Sequence, residues 1–391
     1  MRVVLLSNFE LPDSCANATR VNAFAKMLIQ SGFEVEMLGV AYRNIENLDG
    51  IYNGVNYHMF RANDFKGMRA YKRTKQLEDD IYRYLSLVYM KKRYDAIIIS
   101  NIYYDFSFAL IKLCKNMDVP LIVNEVEWYE SDNEQFRGIL GKIRFIQNRI
   151  ALRYIHKNMH NIIAISSLLG DYYSARGCRT IVMPTLLDMQ EYANISYYPN
   201  ENLTIAYAGS PGKKDYIANV LRAFMLLLDD EKKRVELHIY GIQYEDLIGL
   251  GIEQDELKSI ENIIFCHGRI PHENVKEYIG NADFTILLRP NKRYANAGFP
   301  TKVGESMASG TPVIANITSD LGKYIIDGKT GIICKDETPE SAAEAIKKAI
   351  HLSARDKLEM SKEAKKMAQK SFDLNSYIEG FQEYIFDVAR G

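Results

Sequence analysis

Residues 298–315 read GFPTKVGESMASGTPVIA, and two side chains in that run, Lys302 and Glu305, could do chemistry together. Gly298 permits close approach of the backbone, Pro300 suits the first turn of a helix, and Gly310 is a plausible stop. Val303, Met307 and Ala308 share a buried face of that helix, and Pro312-Val-Ile-Ala resumes as a strand. A helix opening at this loop presents free N–H groups and partial positive charge with Lys302 beside them, which suits a diphosphate. Glu305 follows one turn later, where a carboxylate can accept two hydrogen bonds from a vicinal diol such as a ribose. Diphosphate at the helix tip and ribose at the carboxylate together describe a nucleoside diphosphate. The same pattern also serves plain helix packing in α/β proteins, so other residues must decide.

The elements that must position these residues alternate along the chain. Apolar strands are expected at 2–7, 34–40, 96–100, 121–125 and 162–166, with helical stretches between them, the first at 20–31. Around 189–201 the periodicity gives way to a polar, Tyr/Asn/Pro-rich linker. Alternation restarts with strands at 203–209, 235–241, 263–266, 284–288 and 332–335. Helices are expected at 215–228, 273–280, 339–352, 355–372 and 374–389. Such alternation implies parallel sheets covered on both faces. The fold class is therefore α/β, with two doubly wound, Rossmann-like domains facing across a cleft lined by strand C-termini.

Composition narrows the class. The chain has 391 residues, 47% of them hydrophobic, 25% charged, and a net charge of −1. A near-neutral total argues against nucleic acid as the main partner. No run of 18 apolar residues is present, and MRVVLLSNFELPDS reads as a first buried strand rather than a signal peptide. Five scattered cysteines without a CxxC suit a reducing cytoplasm and offer no metal site. No Asp-x-Asp stands at a strand end, and Asp79-Asp80 lies in a charged helical stretch, so no metal is expected.

Read in order, Gly209-Ser-Pro-Gly-Lys-Lys after a strand, His267-Gly-Arg269-Ile270, Ala282-Asp-Phe, Arg289-Pro, the 298–315 run and Asp327-Gly-Lys-Thr-Gly331 resemble the nucleotide-sugar domain of GT-B glycosyltransferases. The resemblance is to the family 4, or group 1, retaining type, and it covers 203–352. It implies a C-terminal helix crossing back to the first domain, hence domains at 1–190 plus 374–391 (acceptor side) and 191–373 (nucleotide sugar). By resemblance, Glu305 holds the ribose, and Gly209, Ser210, Lys213 and Lys214 form the loop after the first strand that neutralises the departing diphosphate. Ser210 stands at the family's usual arginine. Arg289 joins that cluster, or else forms a salt bridge to Asp283 or Glu305. Backbone at Arg269 and Ile270 meets the nucleobase, leaving uracil and guanine both open. Gly298, Phe299, Pro300, Thr301 and Lys302 surround the donor phosphates and sugar. The family's first glutamate, separated from the second by seven residues, falls at Ala297, which carries no carboxylate.

In the first half, Ser14-Cys-Ala-Asn-Ala-Thr19 occupies the loop that in the family approaches the donor, which implicates Ala16 and Asn17. Read from the residues alone, it is a capping loop with Asn17 or Thr19 as the cap. Glu125 and Glu127 follow a strand end where relatives place a histidine near the donor sugar, and Glu127 is the preferred candidate for orienting the sugar. Residues 137–157 carry six Lys/Arg and no acid, interleaved with isoleucine, leucine and phenylalanine. That pattern fits either an anionic membrane surface or a packing helix with a solvated basic face.

The function these features imply is a retaining, metal-independent glycosyltransferase, with Glu305, Lys214 and Glu127 at its centre. It would move a sugar from a UDP- or GDP-linked donor to a saccharide or lipid-linked acceptor hydroxyl. Cytoplasmic synthesis of bacterial cell-surface polysaccharide or glycoconjugate is the expected setting, in solution or peripherally at the inner face of the membrane. A GT-B-fold epimerase and a non-catalytic partner subunit are the alternatives. A dinucleotide oxidoreductase is disfavoured because no GxGxxG follows either domain's first strand.

Overall fold

The computed structural model describes residues 1–62, 68–101, 104–130, 138–211 and 214–390. The chain forms two compact units, Met1–Leu186 with Leu374–Gly391, and Leu187–Asp373.

Among the described residues, the first unit is built on an eight-stranded sheet. Its strands are β1 (Arg2–Ser7), β2 (Glu34–Ala41), β3 (Asp49–Tyr52), β4 (Val55–Arg61), β5 (Ala96–Ser100), β6 (Leu121–Glu125), β7 (Asn161–Ala164) and β8 (Arg179–Val182). The order is β3-β4-β2-β1-β5-β6-β7-β8. All neighbours are parallel except the β3–β4 hairpin. Sequence order reverses between β1 and β5, the point at which doubly wound sheets bind ligands. β5, AIIIS, is buried along its whole length, as expected of a strand covered on both faces. The β3–β4 hairpin is absent from the sequence-based expectation. Its turn, Asn53-Gly54, has positive φ at both residues, the conformation that a tight hairpin with right-handed twist requires.

The helix Ala16–Gln30 begins four residues earlier than expected. Ala16 and Asn17 are therefore its first turn, not a loop. Neither Asn17 nor Thr19 caps it: the N-cap is Cys15, which makes no side-chain capping bond. Val21, Phe24, Ala25 and Leu28 form its buried stripe. The helix Ile378–Arg390 packs beside it, with Phe24 and Phe381 ring centroids 5.3 Å apart and Phe33 and Phe386 5.4 Å apart. Arg20 points inward from the same helix. Its guanidinium donates to the carbonyls of Pro184 at 2.6 Å and Met183 at 2.8 Å, and to Asn124 Oδ1 at 3.0 Å. Burial pulls its pKa down to about 9, so it stays a cation at neutral pH.

The second unit carries a six-stranded parallel sheet among the described residues, ordered β11-β10-β9-β12-β13-β14. The strands are β9 (Leu203–Ala208), β10 (Val235–Tyr240), β11 (Ile264–Cys266), β12 (Phe284–Leu287), β13 (Val313–Asn316) and β14 (Gly331–Cys334). Counted within this unit the order is 3-2-1-4-5-6, with the switch between β9 and β12. The buried pair Asp283–Lys357, 2.9 Å apart, ties the edge of this switch to the helix Ala354–Ser371. Asp283 also accepts from the Thr204 amide at 2.8 Å and from the Tyr197 hydroxyl. The helix expected at 215–228 forms only at Ile217–Met225, which leaves Asp215 in the loop after β9. Among the described residues, no helix is long and apolar enough to cross a membrane.

Candidate functional site

β9 ends at Ala208, and Gly209 turns the chain with φ +127. Gly241, at the end of β10, has φ +114, and a Cβ there would lie 2.7 Å from the Gly209 carbonyl oxygen. Its amide donates to Gly268 at 2.7 Å. Three adjacent strands thus finish in glycines whose backbones touch, and the ends of β9 and β10 are stripped to main chain.

The helix Thr301–Ala308 points its N-terminus into this area. Pro300 is its N-cap, no side chain caps it, and its first turn holds no acid. The opening amides and the helix dipole therefore suit an anion. Lys302 extends back from the first turn over Gly209, with its ammonium 4.4 Å from the centre of the Tyr207 ring. It donates to Tyr207 Oη at 2.8 Å and to the Asp215 carboxylate.

Asp215 is the hub of the cluster. It also accepts from the Tyr207 hydroxyl at 2.9 Å and lies 3.7 Å from Arg289 Nε. Burial first, and then the Asp215 charge, push the Tyr207 phenol far above its ordinary range, so it stays a neutral donor. Arg289 is almost fully buried, and its Nε reaches the Lys214 carbonyl at 3.4 Å. The Asn316 side-chain amide clamps the Arg289 backbone with bonds of 2.9 and 2.7 Å, which ties the ends of β12 and β13. Arg289 thus stands beside the loop after β9, with Asp215 as a carboxylate neighbour. Lys302 and Arg289 both approach the Asp215 carboxylate, which brings two cations to the switch point of the sheet.

Glu305 sits half-buried one turn along the same helix. Burial, and then the Glu305 charge, raise the phenol of Tyr192, a residue absent from the sequence-based expectation. Phe299 is buried, 5.6 Å from the Tyr324 ring and 5.7 Å from Phe372, and its side chain anchors the loop. Ala297 is completely buried. Ser210 and Arg269 are exposed, and Ile270 packs against Ala206, Tyr240 and Ala282. His267 stacks on Tyr240 at 4.5 Å and shares a hydrogen bond with His238 at 3.0 Å. Lys213 lies outside the described residues. Sequence reasoning missed Asp215 because it reads as the start of a helix. Its one signal is an acid directly after two lysines at a strand end.

The first unit has a separate pocket of about 230 Å³ at the C-terminal ends of β1, β5 and β6. Glu127 lines it, with Asn8, Asn101, Arg144, Asn148 and His156. Ala16 and Asn17 are not among its lining residues. Glu125 is buried, accepting from His156 Nδ1 at 2.6 Å and the Tyr173 hydroxyl at 3.0 Å.

Residues 188–370 match the family model for glycosyl transferases group 1. The second unit is a group 1 glycosyltransferase domain. Two curated relatives match parts of the chain. An uncharacterized glycosyltransferase of Methanocaldococcus jannaschii is 20% identical over 54% of this chain and 54% of its own length. A trehalose synthase of Pyrococcus horikoshii is 27% identical over 34% of this chain and 29% of its own. The aligned region thus spans about half of the first relative and under a third of the second. Among solved structures, sucrose-phosphate synthase of Thermosynechococcus elongatus superposes with a TM-score of 0.77 at 15% identity, covering 100% of both chains. Anabaena HepE, solved in complex with UDP and glucose, gives 0.68 at 14% identity, covering 99% of this chain and 100% of that one. These likenesses establish the GT-B fold. The group 1 domain supplies Gly209, Lys214, Arg289, Lys302 and Glu305, all on or beside β9, β12 and one helix.

Proposed function

We propose that the chain moves a sugar from a nucleoside diphosphate donor, UDP- or GDP-linked, to an acceptor hydroxyl. In this reading the group 1 domain holds the donor and the first unit the acceptor, a saccharide or a lipid-linked saccharide. The setting is bacterial cell-surface polysaccharide or glycoconjugate synthesis at the cytoplasmic face of the membrane. The observation that carries the reading is the Lys302–Asp215–Arg289 cluster, beside a helix N-terminus that no side chain caps.

Chemically, the bond from the anomeric carbon to the diphosphate oxygen breaks with its electron pair leaving on phosphate. The acceptor oxygen bonds that carbon from the same face, so configuration is retained, and its proton passes to the departing phosphate. Lys302, Arg289, Lys214 and the helix amides stabilise the developing charge without help from a metal ion. The diphosphate draws Lys302 from Asp215, a carboxylate-for-phosphate exchange that keeps the ammonium aimed before the donor arrives. Glu305 accepts from the ribose hydroxyls, and Glu127 orients the reacting sugar.

A non-catalytic partner subunit is the second reading, supported by Ala297 and Ser210 at two positions where relatives carry functional side chains. Calorimetry with UDP, GDP and inorganic pyrophosphate tests the assignment. Glu305→Ala is expected to weaken the nucleosides' diphosphates about tenfold or more, the cost of about 1.4 kcal/mol of lost ribose contact, and to leave pyrophosphate unchanged. Equal affinity in wild type and variant rejects the ribose role. Nucleotide release from a panel of donors, with and without saccharide acceptors, separates transferase from silent subunit. Release of nucleotide without acceptor would favour an epimerase.

A further inference from the structure

The charges at the end of β9 are arranged by depth. The Lys302 side chain is 29% exposed, that of Asp215 11% and that of Arg289 5%, so cation, anion and cation follow one another inward from solvent. The Lys302 ammonium carries three N–H groups and gives one to Asp215 and one, at 2.8 Å, to Tyr207 Oη. Tyr207 in turn donates to Asp215 at 2.9 Å, and Arg289 Nε lies 3.7 Å from the same carboxylate. When Lys302 turns outward, Asp215 therefore keeps two neighbours, the phenol and the guanidinium. A carboxylate stripped of every partner would be strongly destabilised so far from water, and this one is not stripped. The lysine can thus pass between two anions, one fixed in the protein and one brought by a ligand.

The chemistry of a nucleoside diphosphate gives that arrangement a use. Cleavage converts an esterified phosphate of the donor into a terminal one, whose second ionisation falls at about pH 6, so the product carries more negative charge than the donor at neutral pH. Cations and helix amides that bind the donor therefore hold the product more tightly still. A site made only of such groups would be slow to empty, and release of product, not chemistry, limits many enzymes. Among the described residues, Asp215 is the one acid paired with Lys302.

On the reading of this site as the seat of a nucleoside diphosphate, we propose that Asp215 positions Lys302 for product release. Its carboxylate competes with the product diphosphate for the ammonium and reclaims it as the nucleotide leaves. No covalent bond changes in this exchange. Surface plasmon resonance of UDP, GDP and inorganic pyrophosphate over immobilised full chain measures affinity and dissociation rate together. Asp215→Asn keeps the shape of the side chain and loses its charge. It is expected to tighten the nucleotide that wild type binds by about tenfold and to slow its departure by a similar factor. Pyrophosphate gains as much, because the ribose takes no part. Asp215→Ser supplies a second neutral side chain with the same expected gain, and thermal melting verifies that both variants fold. A merely structural aspartate predicts the opposite sign, since a loosened Lys302 would bind phosphate less well. Lys302→Met is expected to weaken binding about tenfold, and in that background Asp215→Asn adds nothing, a coupling that a double-mutant cycle reads directly. Unchanged or weaker binding by the folded Asp215 variants overturns the proposal and leaves the nucleotide site standing. Tightening that persists without Lys302 also overturns it, because the carboxylate then acts by plain repulsion of phosphate. Absence of any binding by wild type removes the nucleotide reading and the proposal with it.

Discussion

Lys302 lies across Gly209: a Cβ on that glycine would sit 2.6 Å from the lysine Cε and 2.9 Å from its Nζ. The absence of a side chain at one strand end thus makes room for the cation delivered by a helix more than ninety positions later in the chain.

Gly209→Ala is therefore expected to act twice. The backbone at φ +127 disfavours any side chain, at a cost of about 1–3 kcal/mol in stability. The methyl group also displaces the ammonium from Asp215 and from the phosphate position. Calorimetry should show UDP and GDP affinity falling by about tenfold, and thermal melting should show a lower midpoint. Normal affinity would mean that Lys302 is not the phosphate cation.

The pair His238–His267 is expected to make the stability of the second unit fall with acid. Burial, and then the His238 charge, hold the His267 pKa below its ordinary 6.5. The folded unit binds this proton less readily than the unfolded chain. Stability is therefore complete above about pH 6.5 and is lost as pH falls through the lower folded value. His267→Phe, which keeps a ring against Tyr240, is expected to flatten the fall in melting temperature between about pH 5 and pH 7. An unchanged slope would assign that fall to other groups.

On the helix Gly138–Ile150, Arg144 and Asn148 line the pocket while Ile139, Ile143 and Ile146 stand 81%, 46% and 56% exposed. Three isoleucines thus stand exposed on this helix, among exposed Lys142, Arg144 and Arg149. If this surface meets an anionic bilayer, as proposed, apolar insertion and about 1 kcal/mol per basic residue would act together. The paired change Ile143→Glu and Ile146→Glu should cut co-sedimentation with phosphatidylglycerol vesicles at least tenfold and leave UDP affinity intact. Neutral phosphatidylcholine vesicles should bind the wild type weakly. Equal binding to both lipids would remove the electrostatic part of the proposal.

Much of this fold is legible in the sequence. Uninterrupted apolar runs such as VVLL and AIII announced buried parallel strands, and the glycine after β9 announced a turn. What escaped reading has physical causes. The β3–β4 hairpin was signalled by Asn53-Gly54, but its strands alternate weakly and lie at the sheet edge, where half-exposed residues blur the period. Asp215, with only its place after two lysines to mark it, and Tyr192 escaped because each acts through neighbours distant in sequence: Lys302 and Arg289 for one, Glu305 for the other. The Glu125–His156 couple follows a π turn, Ala151–Ile155, which no hydrophobic period records.

The aromatic contacts Phe24–Phe381 and Phe33–Phe386 have a consequence for how the protein is made. Leu187–Asp373 is contiguous and can close as soon as it leaves the ribosome, whereas the earlier-synthesised sheet lacks part of its cover until the final helix emerges.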